Sequence, residues 1–164
     1  MYKLVAIDID GTLMNDRKEI TKEVNDAIQA AKAKGVKVVI CTGRPIVGVQ
    51  SIIEELKLND EDDYVITLNG ALVQNTYNQD VESQITLSYE NLKEIYELSQ
   101  KIHSPLHFFD TENLYTPNRE MNRYTIHEAH INQISLHYRP IDEVPKDMLI
   151  PKVMFIDEPE RLNQ

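Results

Sequence analysis

One cysteine in 164 residues, Cys41, leaves nothing within the chain to pair with. That excludes an internal disulfide framework and a cysteine cluster for zinc, and a reducing cytoplasm is the expected location. No run approaches the roughly 18 apolar residues of a membrane span, and the N-terminus lacks the basic-then-apolar layout of a secretion signal, so no membrane is expected as partner. Positive charge is also scarce. Seventeen Lys and Arg face 27 Asp and Glu, a formal net charge of −10. Nucleic acid is therefore not an expected partner, because affinity for it rests largely on phosphate neutralisation by Lys and Arg. A small phosphorylated metabolite meeting a locally positive pocket stays compatible with that charge. The sequence has no G-x-G-x-x-G after a strand and no G-K-[ST], which counts against dinucleotide and P-loop sites. Its histidines, at 103, 107, 127, 130 and 137, include HEAH over His127 to His130, not the H-E-x-x-H spacing of a helical zinc site. They are expected at exposed helix or strand positions.

What is present is periodicity. Residues 4–9 form a near-continuous apolar run rich in β-branched types, the pattern of a strand covered on both faces. Val24, Ala27, Ile28 and Ala31 then recur at helical spacing, with Thr21 as cap and Gly35 as stop. The cycle repeats with a strand over residues 36–40, a helix from about residue 45 striped by Val49, Ile52, Ile53 and Leu56, and a third strand over 64–68. The acidic run Asp60 to Asp63 reads as a solvated loop before that strand. Such an alternation predicts an α/β fold, a right-handed parallel layer whose functional groups gather at the carboxyl edge.

After Ala71 the pattern becomes shorter and more polar. Strand-like pieces fall near residues 71–75, 84–87, 106–109, 114–116 and 152–156, with a helix over about 90–102 striped by Leu92, Ile95, Tyr96 and Ile102. The expected division is an N-terminal part of a core domain over residues 1–76 and an incomplete α+β domain over 77–164. The ending DEPERLNQ opens like a helix, with Asp157 as cap and Pro159 in the first turn, yet stops at Gln164 short of a stable length. A cut from a longer chain is the expectation, and an unpaired core edge strand would then favour self-association.

Three motifs end three successive strands. In AIDIDGTL, Asp8 and Asp10 lie two apart and lean to one side of an extended chain, with Gly11 permitting a sharp turn after them. Two carboxylates in one crevice suit a hard cation such as Mg²⁺, although Asp-x-Asp also serves as a plain turn. In CTGRP, Thr42 offers a hydroxyl, Gly43 a close backbone approach and Arg44 a cationic fork suited to phosphate, or the segment is an ordinary strand-to-helix turn. In NGA, Asn69 and Gly70 again close a strand, where Asn-Gly alone is foremost a turn signal.

Taken together, DIDGTL, TGR and NGA resemble the haloacid dehalogenase superfamily, and within it the Cof-like sugar-phosphatase group with a large α/β cap of class IIB; KVMFID over 152–157 is similar to a cap strand of that group. The resemblance implies a Rossmann-like core with an inserted cap domain, and phosphoryl transfer through an aspartyl phosphate. Asp8 would be the nucleophile and Asp10 the acid and base. The Asp8 carboxylate and the Asp10 carbonyl would hold Mg²⁺. Thr42 and the N–H groups of Ile9 and Gly43 would hold the phosphoryl oxygens, with Arg44 and Asn69 on the rest of the substrate. Small sugar phosphates come first as substrates. The family's third motif, a lysine, and its fourth, an acidic Gly-Asp, are expected beyond Gln164, so this chain alone is expected to be inactive or impaired. The alternative is a non-catalytic module that binds a phosphorylated ligand on the same scaffold.

Overall fold

The computed structural model describes residues 2–162, which form two compact units, one of residues 2–44 with 49–84 and one of 45–48 with 85–162. In the first, β1 (Leu4–Ile7), α1 (Lys22–Ala33), β2 (Lys37–Cys41), α2 (Gln50–Glu55) and β3 (Tyr64–Thr67) follow the alternation the sequence predicts. β1, β2 and β3 are parallel neighbours. Thr21 caps α1 by accepting from the Val24 N–H, and Gly35 follows it at φ +76°, where a β-carbon would be strained. The α2 stripe of Val49, Ile52, Ile53 and Leu56 is buried.

The sheet then continues where the sequence reading ended it. β4 (Leu72–Asn75) pairs antiparallel with β3 and β5 (Val81–Gln84) antiparallel with β4, giving the order β1-β2-β3-β4-β5, so the first compact unit runs to Gln84 rather than to residue 76. Of the expected strand over 84–87, Gln84 ends β5 and Leu87 forms a single bridge with Ile150. Asp63 is also not the solvated residue its acidic neighbours suggest: it is 3% exposed, accepts from the Asp60 N–H at 3.0 Å and pairs with Lys32 at 3.3 Å. A buried carboxylate persists when it is paired and hydrogen-bonded in this way.

β1 departs from expectation in its surroundings. It pairs with β2 alone, and Leu4 and Val5 are 56% and 40% exposed, because among the described residues no strand lies on its other side. An open, apolar, uncharged edge is a template for strand addition. Self-association of this chain across the micromolar range is therefore expected, and weakened by Val5→Lys. Sedimentation velocity on both proteins checks it; a wild-type monomer throughout would remove β1 as an association edge.

The second unit holds α3 (Tyr89–Ile102), β6 (Leu106–Phe109), β7 (Asn113–Thr116), α4 (Arg123–Ile131), β8 (Ser135–Tyr138), β9 (Lys152–Phe155) and α5 (Pro159–Leu162), with sheet order β8-β7-β6-β9. α5 begins at the expected Pro159; the expected stop at Gln164 lies outside the described residues. Leu106 and Phe108 of β6 pack with Tyr115, Leu92, Ile141, Val144 and Ile150. α3 has a complete capping box, Ser88 and Asn91 each satisfying the other's backbone N–H. No helix among the described residues is long and apolar enough to cross a membrane.

His107 is fully buried, contrary to the exposed position expected for it, because every residue of β6 is covered. Its Nδ1 lies 3.3 Å from the Thr125 hydroxyl of α4. Burial, with the Lys152 charge, pushes its pKa down from 6.5 to about 4. Below about pH 6.5 the unfolded chain takes up a proton that the folded chain refuses. The stability from a neutral His107 is therefore complete above about pH 6.5 and is lost as pH falls toward 4, at up to about 1.4 kcal/mol per pH unit. His107→Leu is expected to flatten this dependence in denaturant titrations at pH 7 and 5; parallel curves for both proteins would refute it.

Candidate active site

Beyond β1 the chain turns tightly: the Leu13 N–H donates to the Asp8 carbonyl at 3.1 Å and the Met14 N–H to the Ile9 carbonyl at 3.0 Å, with Gly11 at φ +77°. Ile9 and Leu13 are buried and pin the turn. The alternation that sends Ile9 inward turns Asp8 and Asp10 outward, where both are exposed.

The end of β2 is knitted to the end of β3. The Thr42 N–H donates to the Ile66 carbonyl at 2.9 Å, the Asn69 N–H to the Thr42 carbonyl at 3.0 Å, and the Leu68 N–H to the Arg44 carbonyl at 3.0 Å. Asn69 takes the left-handed conformation at φ 60°, one an asparagine tolerates. A β-carbon on Gly43 would come within 3.2 Å of the Asn69 side chain, so glycine is what lets these two loops close together. Thr42 is buried, and its hydroxyl oxygen accepts the Arg44 N–H at 3.2 Å. The Cys41 thiol is pushed up first by burial and then by the charge of Asp8, which marks Asp8 as close to the last residue of β2.

The two aspartates have different environments. Asp8 carries no ion pair and its carboxylate accepts no hydrogen bond among the described residues. Asp10 is gripped by two cations: Arg44 Nε reaches its Oδ2 at 3.0 Å, Arg44 Nη2 its Oδ1 at 2.8 Å, and Lys18 Nζ the same Oδ1 at 2.8 Å. The Arg44 contact above all holds the Asp10 carboxyl below its ordinary pKa. An unpaired carboxylate is left nucleophilic, while a hydrogen-bonded one is oriented. The sequence reading singled out Asp10 and Arg44 but missed Lys18, whose signal is only a basic residue in the polar turn after the motif.

For a metal, the donors at hand are the Asp8 carboxylate and the Asp10 carbonyl, both hard oxygens of the kind Mg²⁺ takes. They fit part of an octahedral shell. No group of three or more Asp, Glu, His or Cys able to complete one occurs among the described residues.

The sequence profile of the haloacid dehalogenase-like hydrolases matches residues 5–164. The chain belongs to that family. The chain is 59% identical over 164 residues to the protein YxeH of Bacillus subtilis strain 168, which bears the name of a phosphatase; all of this chain is covered, and 61% of the relative. The chain thus spans about three-fifths of that relative's length. Among solved structures, it resembles a haloacid dehalogenase-like hydrolase from Bacteroides thetaiotaomicron, with a TM-score of 0.80 at 24% identity over 99% of this chain and 61% of that one. It also resembles the subclass IIB sugar phosphatase BT4131, with a TM-score of 0.71 at 25% identity over 90% of this chain and 56% of that one. The mixed α/β fold read from the sequence is the fold of these neighbours.

Proposed function

We propose that the protein to which this sequence belongs is a Mg²⁺-dependent phosphatase that hydrolyses small phosphate monoesters through an aspartyl phosphate on Asp8. The observation that carries the reading is the pairing of an unpaired Asp8 with a cation-held Asp10, two residues apart, beside the Thr42–Gly43–Arg44 loop. An Asp8 oxygen attacks phosphorus and the bond to the leaving oxygen breaks while Asp10, having taken up a proton when Arg44 leaves it for the substrate, gives that proton to the leaving oxygen. Asp10 then takes a proton from the water that hydrolyses the Asp8 phosphate. The Thr42 hydroxyl and the backbone N–H groups of Ile9 and Gly43 hold the phosphoryl oxygens, and Arg44 and Asn69 meet the rest of the substrate. Mg²⁺, held by Asp8 and the Asp10 carbonyl, supplies charge neutralisation between nucleophile and phosphate.

Sugar phosphates stand first as substrates, supported by the likeness to a subclass IIB sugar phosphatase. In this reading residues 85–162 act as the cap that chooses the leaving group, and the lysine and acidic motifs that the family resemblance implies are not among the residues assigned to this site. The 164-residue chain alone is then impaired. Phosphate release from a panel of sugar phosphates by a protein of the relatives' full length tests the reading, with Asp8→Asn and a chelator as controls. Saturable binding without release would favour the ligand-binding alternative.

A further inference from the structure

The reading above gives Arg44 two tasks. It meets the substrate, and in this structure it holds Asp10 through two hydrogen bonds. When Arg44 turns to a substrate, the Asp10 carboxylate keeps, among the described residues, the cation of Lys18. We propose that Lys18 is a positioning residue that holds the Asp10 carboxylate in its working orientation once Arg44 is drawn to the substrate. The inference rests on the assignment of Asp10 as acid and base.

The turn that carries Lys18 is built to present it. The Asn15 side-chain oxygen accepts the N–H groups of Arg17 at 2.9 Å and Glu19 at 3.0 Å. The Lys18 N–H donates to the Asn15 carbonyl at 2.9 Å, and Asn15 N–H to the Glu19 carbonyl at 3.1 Å. The closure puts Lys18 at φ 60°, a left-handed conformation that costs a lysine free energy and that glycine or asparagine would adopt more easily. What the lysine side chain gains there is the 2.8 Å contact to Asp10 Oδ1, the same oxygen that Arg44 Nη2 holds. Lys18 and Asp10 are both well exposed, so their ion pair adds little to stability. Its consequence is orientation: a carboxylate that moves protons must stay within hydrogen-bond reach of the leaving oxygen, and a displacement of about 1 Å can cost about a hundredfold in rate.

The first arm needs no activity. In this 164-residue chain, three-bond couplings report the Asp10 χ1 angle in wild type, in Arg44→Ala, which mimics the departure of Arg44, and in Arg44→Ala/Lys18→Met. A single Asp10 rotamer in the first two proteins and averaging among rotamers in the third is expected. Averaging already in Arg44→Ala, or a single rotamer in the double variant, overturns the proposal. The second arm uses the full-length protein: Lys18→Met is expected to lower kcat about tenfold or more with KM within about twofold, and Lys18→Arg to restore it. An unchanged kcat in Lys18→Met overturns the role. If wild type and Asp8→Asn release no phosphate alike, the phosphatase reading fails, and the rotamer measurement still decides what holds Asp10.

Discussion

Asp8→Asn in the full-length protein is expected to lower phosphate release by roughly 10³-fold or more while leaving the fold intact. An amide is nearly the same shape as a carboxylate but a far weaker nucleophile, so the covalent step is lost. Stability should hardly change, because Asp8 is exposed and among the described residues has no ion pair or hydrogen-bonded carboxylate to lose. Substrate affinity should hold or rise, since one negative charge facing the phosphate is removed. Asp10→Asn is the less clean experiment, as it also releases Arg44 and Lys18 from their shared carboxylate. Steady-state release and substrate binding by calorimetry, on one preparation, separate the two effects. Turnover above about one-hundredth of wild type, with contaminating phosphatase excluded, would remove Asp8 as nucleophile.

Which parts of this protein could be read from sequence follows from what the pattern encodes. Apolar periodicity reports what surroundings a residue suits, so β1, β2 and β3 and the buried stripe of α2 were legible. It does not report what lies against each face, and so Leu4 and Val5, expected to be covered on both faces, are exposed on a strand that pairs with β2 alone among the described residues. The boundary expected at residue 76 falls between β4 and β5 because the polar residues there break the pattern of the parallel strands, yet β5 joins the same sheet by backbone pairing with β4, which needs no particular side chain. α4 was missed because it buries Thr125 and Ala129 while Ile126 and Ile131 remain exposed, the reverse of an apolar stripe. At the candidate site, Asp10, Thr42, Gly43, Arg44 and Asn69 were legible as a neighbourhood because each ends a strand of one sheet. Lys18 was not. Its contact is made by a turn folding back over eight residues, and that closure depends on the Asn15 side chain rather than on periodicity.

Phe108→Ala should be the most damaging single change to the second unit, costing about 3–5 kcal/mol. The ring is fully buried, sits at the centre of the cluster of Leu92, Leu106, Ile141, Val144 and Ile150, and stacks on Tyr115 with centroids 5.4 Å apart. Tyr115 is itself committed on its other side: its hydroxyl donates to Asp110 at 2.8 Å, and the His137 ring stacks at 5.4 Å. A strand-to-strand ladder of rings fixed at its rim cannot easily collapse into the space a phenyl leaves, so the cost should lie toward the upper end of the large-to-small range. Phe108→Leu, which keeps most of the volume, should cost clearly less. Denaturant unfolding followed by amide signals from residues 85–162 measures both. A loss below about 1 kcal/mol for Phe108→Ala would show that the unit's stability does not centre on β6. A loss confined to those residues would show that the sheet of β1 to β5 stands without them.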